Sequence, residues 1–441
     1  MALSLRQTMR SLVINTLLVR ERWQSGVTYN PLSAHMTQNP YPTYAKLRAQ
    51  DPVHRSILMN SWVFTRYADV DTILRDPRHF ANDPRKRTSS GRRRASAPSP
   101  EDLSMLFLDP PDHTRLRSLV SKAFTPQTIN ALEPHIRSLM GTLLDDIDDP
   151  AGFDLMEAVA NPLPVIVIAE MLGVPLEDRA QFKIWSNQRA RIIEPTISAQ
   201  ERQIAEAAAR SLDAYFLNII KARRAEPQND LISALVHAEE EGDTLSEREM
   251  LSMLRLLLVA GNETTTNLIG NGMLALLRHP EQLQALRDDP SLIPAAVEEL
   301  VRFDAPVQSD FRAAVEDCEV GGFPVQRGQN IVLLIGAANH DPAVFHQPER
   351  LDINRRDGNN ISFGRGVHHC LGASLARLES RIAFEVLLER FTTSMRLLTD
   401  RPPFRNSIVL RGLQHLPVRA TLKSVTPRTQ AASVTAVAPE A

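Results

Sequence analysis

The chain has 441 residues, 43% of them hydrophobic, and is therefore long enough to bury a large core and a deep pocket. Lys and Arg total 50 against 52 for Asp and Glu, and the formal net charge of -2 excludes chain-wide attraction to nucleic acid or to an anionic membrane. The two cysteines, Cys318 and Cys370, are too few for a disulfide framework or a structural zinc or iron–sulfur site, and they favour a reducing, cytoplasmic location.

The N-terminal segment is predicted to be an amphipathic helix that packs on the body of the protein. Its apolar run at 12–19 is far shorter than the roughly 20 residues that a transmembrane span requires. Arg20, Glu21 and Arg22 follow this run, where a signal peptide would have small residues at a cleavage site. Weak contact with a membrane surface is the alternative.

Composition indicates one large domain with two short terminal segments. We expect residues 1–30 to form an N-terminal extension, residues 31–423 to form a single domain, and residues 424–441 to be a disordered tail. Residues 84–100 are basic, small and Pro-rich. Because they lack interleaved aromatic residues, they predict a solvated loop rather than a nucleic-acid site.

Helical periodicity dominates the chain beyond about residue 100. The predicted helical stretches lie near 115–147, 155–172, 176–194, 198–224, 246–278, 291–303 and 372–391. The predicted strands are short and lie at 62–65, 311–320, 330–334 and 407–410. There is no repeat, no βαβ series and no Gly-rich phosphate loop. The pattern predicts a mainly α protein with small β-sheets, an α+β fold.

The predicted helix at 246–278 combines an apolar first half with an unusual polar centre. Ser246 and Glu249 have capping-box spacing, and residues 250–260 are apolar almost all round the axis, which indicates a helix buried within the fold. The following run 261–266, GNETTT, places a Gly, a Glu and three Thr in that buried helix, where each is unfavourable. Local rules broken together suggest a functional site, and a kinked core helix is the structural alternative.

The second unusual segment is FGRGVHHCLG at 363–372, which precedes a helical pattern. Cys370 therefore lies just before a helix N-terminus, where free N–H groups and the helix dipole stabilise a thiolate that can hold iron. Gly364, Gly366 and Gly372 would let the backbone pass close to a flat macrocycle. A lone Cys in a Gly-rich turn can also be purely structural.

This decapeptide resembles the Cys-ligand loop of the cytochromes P450, Phe-Gly-x-Gly-x-His-x-Cys-x-Gly, and every fixed position is filled. Three further segments resemble motifs of the family and follow its order along the chain: DPPDHTRLR at 109–117, AGNETT at 260–265 and EELVR at 298–302. The similarity covers roughly 40–420. The resemblance implies a cytochrome P450 fold, with haem b held between a long distal helix and a proximal Cys-ligand loop.

The resemblance also implies the residues that hold the cofactor. Cys370 is expected to be the iron ligand, and Glu299 and Arg302 are expected to be structural, joined by Arg350 rather than Arg355. The residues expected to bind the two haem carboxylates are His113, Arg117, Arg312 and His368, which suits the forked donors of Arg. Four more residues are expected to line the cofactor: Phe363, Gly364, Ala260 and Gly261.

By the same resemblance, Thr264 is expected to hydrogen-bond dioxygen and Glu263 to relay protons to it from solvent. One oxygen atom of O2 would then enter a C–H bond of the substrate. Glu263 stands where the family often has Asp, and neither this change nor the polar Asn262 threatens the mechanism. Electrons are expected from a ferredoxin or flavodoxin with its reductase, docking on the Cys370 side. Arg115, Arg365 and Arg377 would form a positive patch there, or a merely solvated surface.

Three other functions remain open at this point. A peroxygenase driven by hydrogen peroxide would not need a proton relay, and a non-catalytic haem-binding protein would leave the Glu263–Thr264 pair unexplained. Hydrolysis assisted by a metal at His368, His369 and Cys370 is disfavoured because adjacent side chains diverge.

The expected substrate is small and lipophilic, because the pocket candidates are mostly apolar. They are Ala260, Val307, Ile408 and Val409, together with the regions near 85–100 and 185–200.

Overall fold

Helices dominate the part of the chain that the computed structural model describes, which is residues 2–86, 99, 101, 103–194, 197–240, 243–391 and 395–421. The helices are α1 (Ala2–Ser25), α2 (Ala34–Gln38), α3 (Tyr41–Gln50), α4 (Tyr67–Arg75), α5 (Asp112–Ser121), α6 (Pro126–Asn130), α7 (Glu133–Asp145), α8 (Pro162–Met171), α9 (Arg179–Ala190), α10 (Ala199–Ala225), α11 (Leu231–Val236), α12 (Glu247–Arg278), α13 (Pro280–Asp288), α14 (Ile293–Phe303), α15 (Ile335–Ala338) and α16 (Ala373–Arg390). The predicted tail at 424–441 and most of the predicted loop at 84–100 lie outside the described residues.

The strands are short and form small sheets. They are β1 (Val53–Ser56), β2 (Ser61–Phe64), β3 (Phe80–Ala81), β4 (Phe153–Asp154), β5 (Glu239–Glu240), β6 (Asp243–Thr244), β7 (Ser309–Ala314), β8 (Cys318–Val320), β9 (Phe323–Val325), β10 (Asn330–Leu334), β11 (Arg396–Leu397) and β12 (Pro417–Arg419). The largest sheet has five strands in the order β1-β2-β10-β7-β3, with β10 parallel to β2 and antiparallel to β7. The predicted mainly α fold with small sheets is confirmed.

Three details of the predicted elements are wrong. The single strand predicted at 311–320 is two strands, β7 and β8, which belong to different sheets. The stretch at 115–147 is divided into α5, α6 and α7, because Pro126 and Pro134 lie in first turns, where a missing N–H costs nothing. The run 407–410 is not a strand. Leu410 instead forms an isolated bridge with Val307, and Ser309 Oγ donates to the Ile408 carbonyl at 2.9 Å.

The end of α1 is attached to the body through a buried carboxylate. Glu21 is 1% exposed, accepts hydrogen bonds from the main-chain N–H groups of Tyr29 and Ile57, and lies 3.0 Å from His54 Nε2. Val27 and Tyr29 are also buried and pack in the same cluster as α3. The expected boundary at residue 30 assigns Val27 and Tyr29 to the N-terminal extension, although both side chains pack in the core of the domain. Among the described residues, no helix is both long and apolar enough to span a bilayer.

The long helix α12 runs through two hydrophobic clusters. Its N-terminal part, from Met250 to Leu258, packs in a cluster with α5, α9 and α10, and its C-terminal part, from Leu268 to Leu276, packs in a second cluster with α7, α14 and α16. The polar run at 261–266 lies between the two. The capping box of Ser246 and Glu249, predicted from the sequence, is confirmed at its start.

A buried ion-pair network joins α14 to the segment that follows α15. Glu299 Oε2 accepts from Arg302 Nε at 2.7 Å and from Arg355 Nε at 3.1 Å, and all three side chains are at most 8% exposed. Arg302 Nη1 also donates to the carbonyls of Asn339 and Pro348. The assignment of Arg350 to this network was wrong. Its side chain is exposed, and it contributes only its main-chain carbonyl, because Arg355 reaches Glu299 from the inner side of the loop.

Gly272 should be required by helix packing, whereas Gly141 should not. A Cβ at Gly272 would lie 2.7 Å from Phe384 Cζ, while one at Gly141 would meet nothing within 4 Å. Gly272→Ala is expected to lower the free energy of unfolding by about 1–3 kcal/mol through overpacking, and Gly141→Ala to raise it by about 0.5–1 kcal/mol through helix propensity. Urea unfolding of both variants measures this. Stabilisation by Gly272→Ala would contradict the described packing.

Arg355→Ala and Arg350→Ala distinguish the two candidate partners of Glu299. Loss of the Arg355 guanidinium removes charged hydrogen bonds from a buried carboxylate and should cost about 1–3 kcal/mol of stability. Arg350→Ala keeps its main-chain carbonyl and should change stability by no more than about 0.5 kcal/mol. Thermal and urea unfolding give the comparison, and the reverse ranking would restore the assignment of Arg350.

Candidate active site

The loop that carries Cys370 is held by main-chain hydrogen bonds and by glycines. The Cys370 N–H donates to the Phe363 carbonyl at 2.8 Å, and the chain then enters α16 at Ala373. Gly366 has a φ of +65°, and a Cβ there would lie 2.6 Å from the Leu74 carbonyl oxygen. Gly366 is therefore needed both for its backbone conformation and for the close approach of α4. The Arg377 guanidinium lies over the Phe363 ring, with Cζ 4.3 Å from the ring centre.

The Cys370 side chain is accessible, yet closely surrounded by protein. The residue has a large solvent-accessible surface, yet the surrounding protein atoms desolvate the thiol and raise its pKa above the usual value. These two observations agree if the sulfur faces an internal space rather than bulk water. The Gly372 N–H and the charges of Arg117 and Arg377 oppose the rise in pKa by stabilising the thiolate. The donor groups needed by a thiolate ligand are thus present beside Cys370.

The four residues expected to bind carboxylates lie together near Cys370. The rings of His113 and His368 are 4.1 Å apart, and burial, followed by the charges of His113, Arg312 and Arg117, lowers the pKa of His368 to about 3. His113 Nδ1 lies 2.8 Å from the Met105 carbonyl and Nε2 lies 2.9 Å from the Val367 carbonyl. Burial lowers the pKa of Arg117, which interacts electrostatically with Cys370.

This cluster fits a cofactor that has two carboxylates. Within the described residues, no carboxylate pairs with the Arg117 guanidinium, and the buried His368 Nε2 has no hydrogen-bond partner. Arg312 is 4% exposed and is held by Asn82 Oδ1 at 3.0 Å and by Asp310 at 2.8 Å. Desolvated cations and an unused ring nitrogen favour an added anion. The donor set therefore fits haem, with Cys370 as the thiolate.

The polar run of α12 gains partners from three neighbouring segments. Asn262 Nδ2 donates to Ser186 Oγ at 3.2 Å, and Thr266 Oγ1 donates to the Ala160 carbonyl at 2.9 Å. Thr264 Oγ1 donates to the Ala260 carbonyl of the preceding turn at 2.8 Å, which is the arrangement expected of a structural Thr. Thr264 is nevertheless half-buried and lines a cavity. Gly261 packs against Ile168, which lies 3.5 Å from the position of a Cβ.

Glu263 is held by an arginine from the C-terminal segment. Arg405 Nη1 donates to Glu263 Oε1 at 2.8 Å, and the two side chains are 30% and 19% exposed, so the pair lies at the edge of the interior. Glu194 lies nearby. Burial raises the pKa of Glu194, and the charge of Glu263 contributes to the rise. Glu194 accepts hydrogen bonds from Ser407 Oγ and from the Ile408 N–H, and thereby attaches the segment after α9 to the turn at 407–410.

A cavity of about 720 Å³ lies beside Thr264. The four residues expected to face the substrate all line it: Ala260, Val307, Ile408 and Val409. Ile192, from the region 185–200, also lines it, together with Phe107 and Phe311, whereas most of the region 85–100 lies outside the described residues. Arg312 and Asn82 form a polar part of the wall. The cavity is thus mainly apolar and is continuous with the cluster that would hold the carboxylates.

The expected positive patch on the Cys370 side is largely neutralised. Arg115 pairs with Glu249, Arg377 pairs with Glu298, and Arg365 Nε lies 3.4 Å from Asp71. Each guanidinium therefore has a carboxylate within reach. Attraction of an acidic partner to this surface would depend on exchanging these pairs or on other cations.

Sequence reasoning missed three charged residues of this region. Arg405 and Glu194 belong to no local motif, and only the fold brings them to Glu263. Glu379 on α16 is 1% exposed, and burial raises its pKa to about 8. A Glu about two turns into an otherwise apolar helical face was the available signal for Glu379.

Comparison with known proteins agrees with this geometry. A family model for Cytochrome P450 matches residues 38–418. The polyketide biosynthesis cytochrome P450 PksS of Bacillus subtilis (strain 168) is 42% identical over 403 residues, which cover 88% of this chain and 98% of that protein. Vitamin D(3) 25-hydroxylase of Pseudonocardia autotrophica is 42% identical over 386 residues, which cover 86% and 94%.

Solved structures show the same relationship. The structure of PksS has a TM-score of 0.82 and 42% identity, and covers 89% of this chain and 99% of its own. The structure of CYP109Q5 from Chondromyces apiculatus has a TM-score of 0.81 and 37% identity, and covers 90% and 99%. With the site geometry above, these matches show that the chain belongs to the cytochrome P450 family and is a monooxygenase that binds haem b through a cysteine thiolate.

Proposed function

We propose that Cys370 is the thiolate ligand of a monooxygenase that hydroxylates a lipophilic compound. The observation that supports this most strongly is the cluster beside Cys370, where Arg117 lacks a carboxylate partner among the described residues and His368 Nε2 is unpaired. Arg117 and Arg312 would neutralise the two haem carboxylates, and His368 Nε2 would donate a hydrogen bond to one of them. His113 would join them by exchanging the Val367 carbonyl at its Nε2 for a carboxylate oxygen. The Gly372 N–H would keep negative charge on the Cys370 sulfur moderate. Haem, when bound, would provide the site at which O2 is activated. The two electrons would come from the redox partner and the two protons from solvent.

Glu263 and Thr264 are proposed to move protons toward the cavity. Glu263 lies at the edge of the interior in an ion pair with Arg405, so its carboxylate is accessible to water on one side. Thr264 lines the cavity and can rotate its hydroxyl away from the Ala260 carbonyl to donate to a reacting oxygen. Arg405 would hold the Glu263 carboxylate in place until the Glu263 side chain leaves the ion pair and contacts water. Glu263 and Thr264 would then connect solvent to the cavity.

The substrate is proposed to be a lipophilic molecule in the size range of a sterol or a polyketide. The cavity beside Thr264 has mainly apolar walls, and the names of two relatives refer to polyketide biosynthesis and to vitamin D(3). A spectral-shift screen of such compounds against the ferric holoenzyme tests the class. Shifts confined to small polar compounds would contradict it.

The family requires a redox partner, and we propose a small ferredoxin or flavodoxin with its reductase, docking on the Cys370 side. Because Arg115, Arg365 and Arg377 are already paired, the attraction would be weaker than three free cations imply. A cytoplasmic location is proposed with it, in keeping with two unpaired thiols at Cys318 and Cys370.

Cys370→Ser and Cys318→Ser identify the sulfur that ligates the haem. Cys370→Ser is expected to abolish the red-shifted Soret absorption of the reduced, carbon-monoxide-treated protein, because a serine oxygen replaces the thiolate. Cys318→Ser, in a half-buried strand away from the site, should leave it unchanged. Absorption spectroscopy of both purified variants measures the difference. Retention of the shifted band by folded Cys370→Ser protein would refute the assignment.

Thr264→Ala should keep haem binding and substrate affinity but divert reducing equivalents to hydrogen peroxide or water. The loss of the hydroxyl removes a donor and should lower the ratio of product formed to NAD(P)H consumed by about tenfold or more. Thr264→Ser keeps the hydroxyl and is the matched control. Product and peroxide are quantified against NAD(P)H consumption. Undiminished coupling in Thr264→Ala would show that the hydroxyl is not part of the relay.

A further inference from the structure

The first helix, α1, lies before the part of the chain that the family model matches. That model begins at residue 38, whereas α1 ends at Ser25. None of the residues assigned above to the haem, to the proton relay or to the substrate cavity belongs to α1. No step proposed at Cys370 or Thr264 therefore accounts for the surface of this helix.

The described side chains of α1 are distributed in the reverse of the usual way. Trp23 is 89% exposed and Val19 is 59% exposed, and because they are four residues apart they lie on one face of the helix. Glu21, which is 1% exposed, is turned toward the body of the protein. A surface helix ordinarily buries its apolar residues and exposes its charges. This apolar pair therefore indicates a face that contacts something other than water.

The same face continues toward the N-terminus in the sequence. Its positions recur at alternating steps of four and three residues, and all of them except Thr16 are apolar: Leu5, Met9, Leu12, Thr16, Val19 and Trp23. Steps of this kind keep residues on one side of an α-helix. The sequence therefore predicts an apolar stripe along most of the length of α1.

Positive charge flanks the exposed pair. Arg20 and Arg22 are both exposed, and at about 100° of rotation per residue they lie on opposite flanks of the Val19–Trp23 pair, each about 60° from its nearer member. Glu21 is the one acidic residue in the sequence of α1, and its carboxylate accepts hydrogen bonds from main-chain N–H groups of the body. The outer surface of this part of α1 is therefore both apolar and cationic.

The strand that packs on α1 does not reverse this charge. β1 contributes Arg55, whose guanidinium donates to the Asn60 side chain. Asp51, which precedes β1, lies 2.7 Å from Nδ1 of the fully buried His54, so that its charge is used internally. Within α1 and β1, the net outward charge is positive.

The combination of apolar and cationic groups favours an anionic lipid surface as the partner. Trp is enriched at the headgroup level of membranes, where its ring meets apolar groups and its N–H stays hydrated. Arginines on the flanks of an apolar stripe can reach lipid phosphates from there. A second copy of the chain fits less well, because pairing through this face would bring two sets of arginines together without carboxylates between them.

We propose that α1 binds the surface of an anionic phospholipid membrane, with its exposed apolar pair in the headgroup region and its two flanking arginines on lipid phosphates. The helix would lie in the plane of the surface, because its apolar run at 12–19 is too short to cross a bilayer. The buried Glu21 would connect it to the haem domain. The proposal is independent of the reaction proposed at the haem site.

Binding of the haem-loaded, full-length protein to vesicles tests the proposal. Co-sedimentation compares vesicles of equal parts phosphatidylglycerol and phosphatidylcholine with vesicles of phosphatidylcholine alone. We expect binding to the anionic vesicles to be about tenfold tighter or more, because the arginines are attracted to the negative surface, and to weaken as salt is raised. Equal affinity for both kinds of vesicle, or binding to neither, would overturn the proposal.

A matched pair of apolar substitutions locates the contact. Trp23→Ser removes an almost fully exposed indole and should weaken binding to the anionic vesicles by about tenfold or more. Ile184→Ser, at a residue that is 49% exposed on α9, should leave binding unchanged. Because both side chains project into solvent, both variants should keep the haem content and Soret spectrum of the unsubstituted protein. Unchanged binding of Trp23→Ser, or an equal loss in both variants, would contradict the assignment to α1.

Charge is tested with two double variants that remove the same net charge. Arg20→Gln combined with Arg22→Gln should remove most of the preference for anionic vesicles. Arg202→Gln combined with Arg210→Gln, both exposed on α10, should retain it. Equal effects of the two double variants would show a response to net charge alone and would refute a specific role of α1.

Sedimentation velocity without lipid separates membrane binding from self-association. Trp23→Ser should not change the sedimentation coefficient. A dimer of the unsubstituted protein that Trp23→Ser dissociates would show that a second copy covers this face, and would overturn the proposal.

Discussion

The site depends on how α12 is held. Met250 to Leu258 is packed in one hydrophobic cluster and Leu268 to Leu276 in another, so the polar run between them cannot shift along the helix axis without disturbing both. The cost of burying that run is offset by partners from other segments: Asn262 bonds Ser186, Thr266 bonds the Ala160 carbonyl and Glu263 pairs with Arg405. Thr264 is thereby presented to the cavity at a defined position.

The proximal side rests on a complementary arrangement of charge. Gly366 lets the Cys loop approach α4, and the main-chain bond from Cys370 to Phe363 sets the direction of the sulfur. Around the sulfur, the described residues include cations and imidazoles that have few hydrogen-bonding or carboxylate partners. The clearest examples are the Arg117 guanidinium and His368 Nε2. In a low-dielectric setting such groups are stabilised by an anionic cofactor far more than by one another. We therefore expect bound haem to stabilise the folded arrangement of this region.

Much of the fold and part of the site could be predicted because their signals are local in the sequence. The capping box, the apolar turns and the polar run identified α12, and the Gly-rich segment before α16 identified Cys370 as a thiolate candidate. Main-chain geometry near one residue decides such features. The resemblance to the family added His113, Arg117, Arg312 and His368, which lie on separate elements and have no shared local pattern.

What only the tertiary structure decided are the pairings between distant segments. The sequence by itself determined a mainly α chain with a thiolate loop and a buried polar helix, because periodicity and capping depend on neighbouring residues. It did not determine that Arg355 rather than Arg350 meets Glu299, that Arg405 holds Glu263, or that the run 407–410 forms a turn attached to Glu194. These outcomes depend on which side of a loop faces the core and on how far each side chain reaches, and both are properties of packed elements rather than of spacing along the chain.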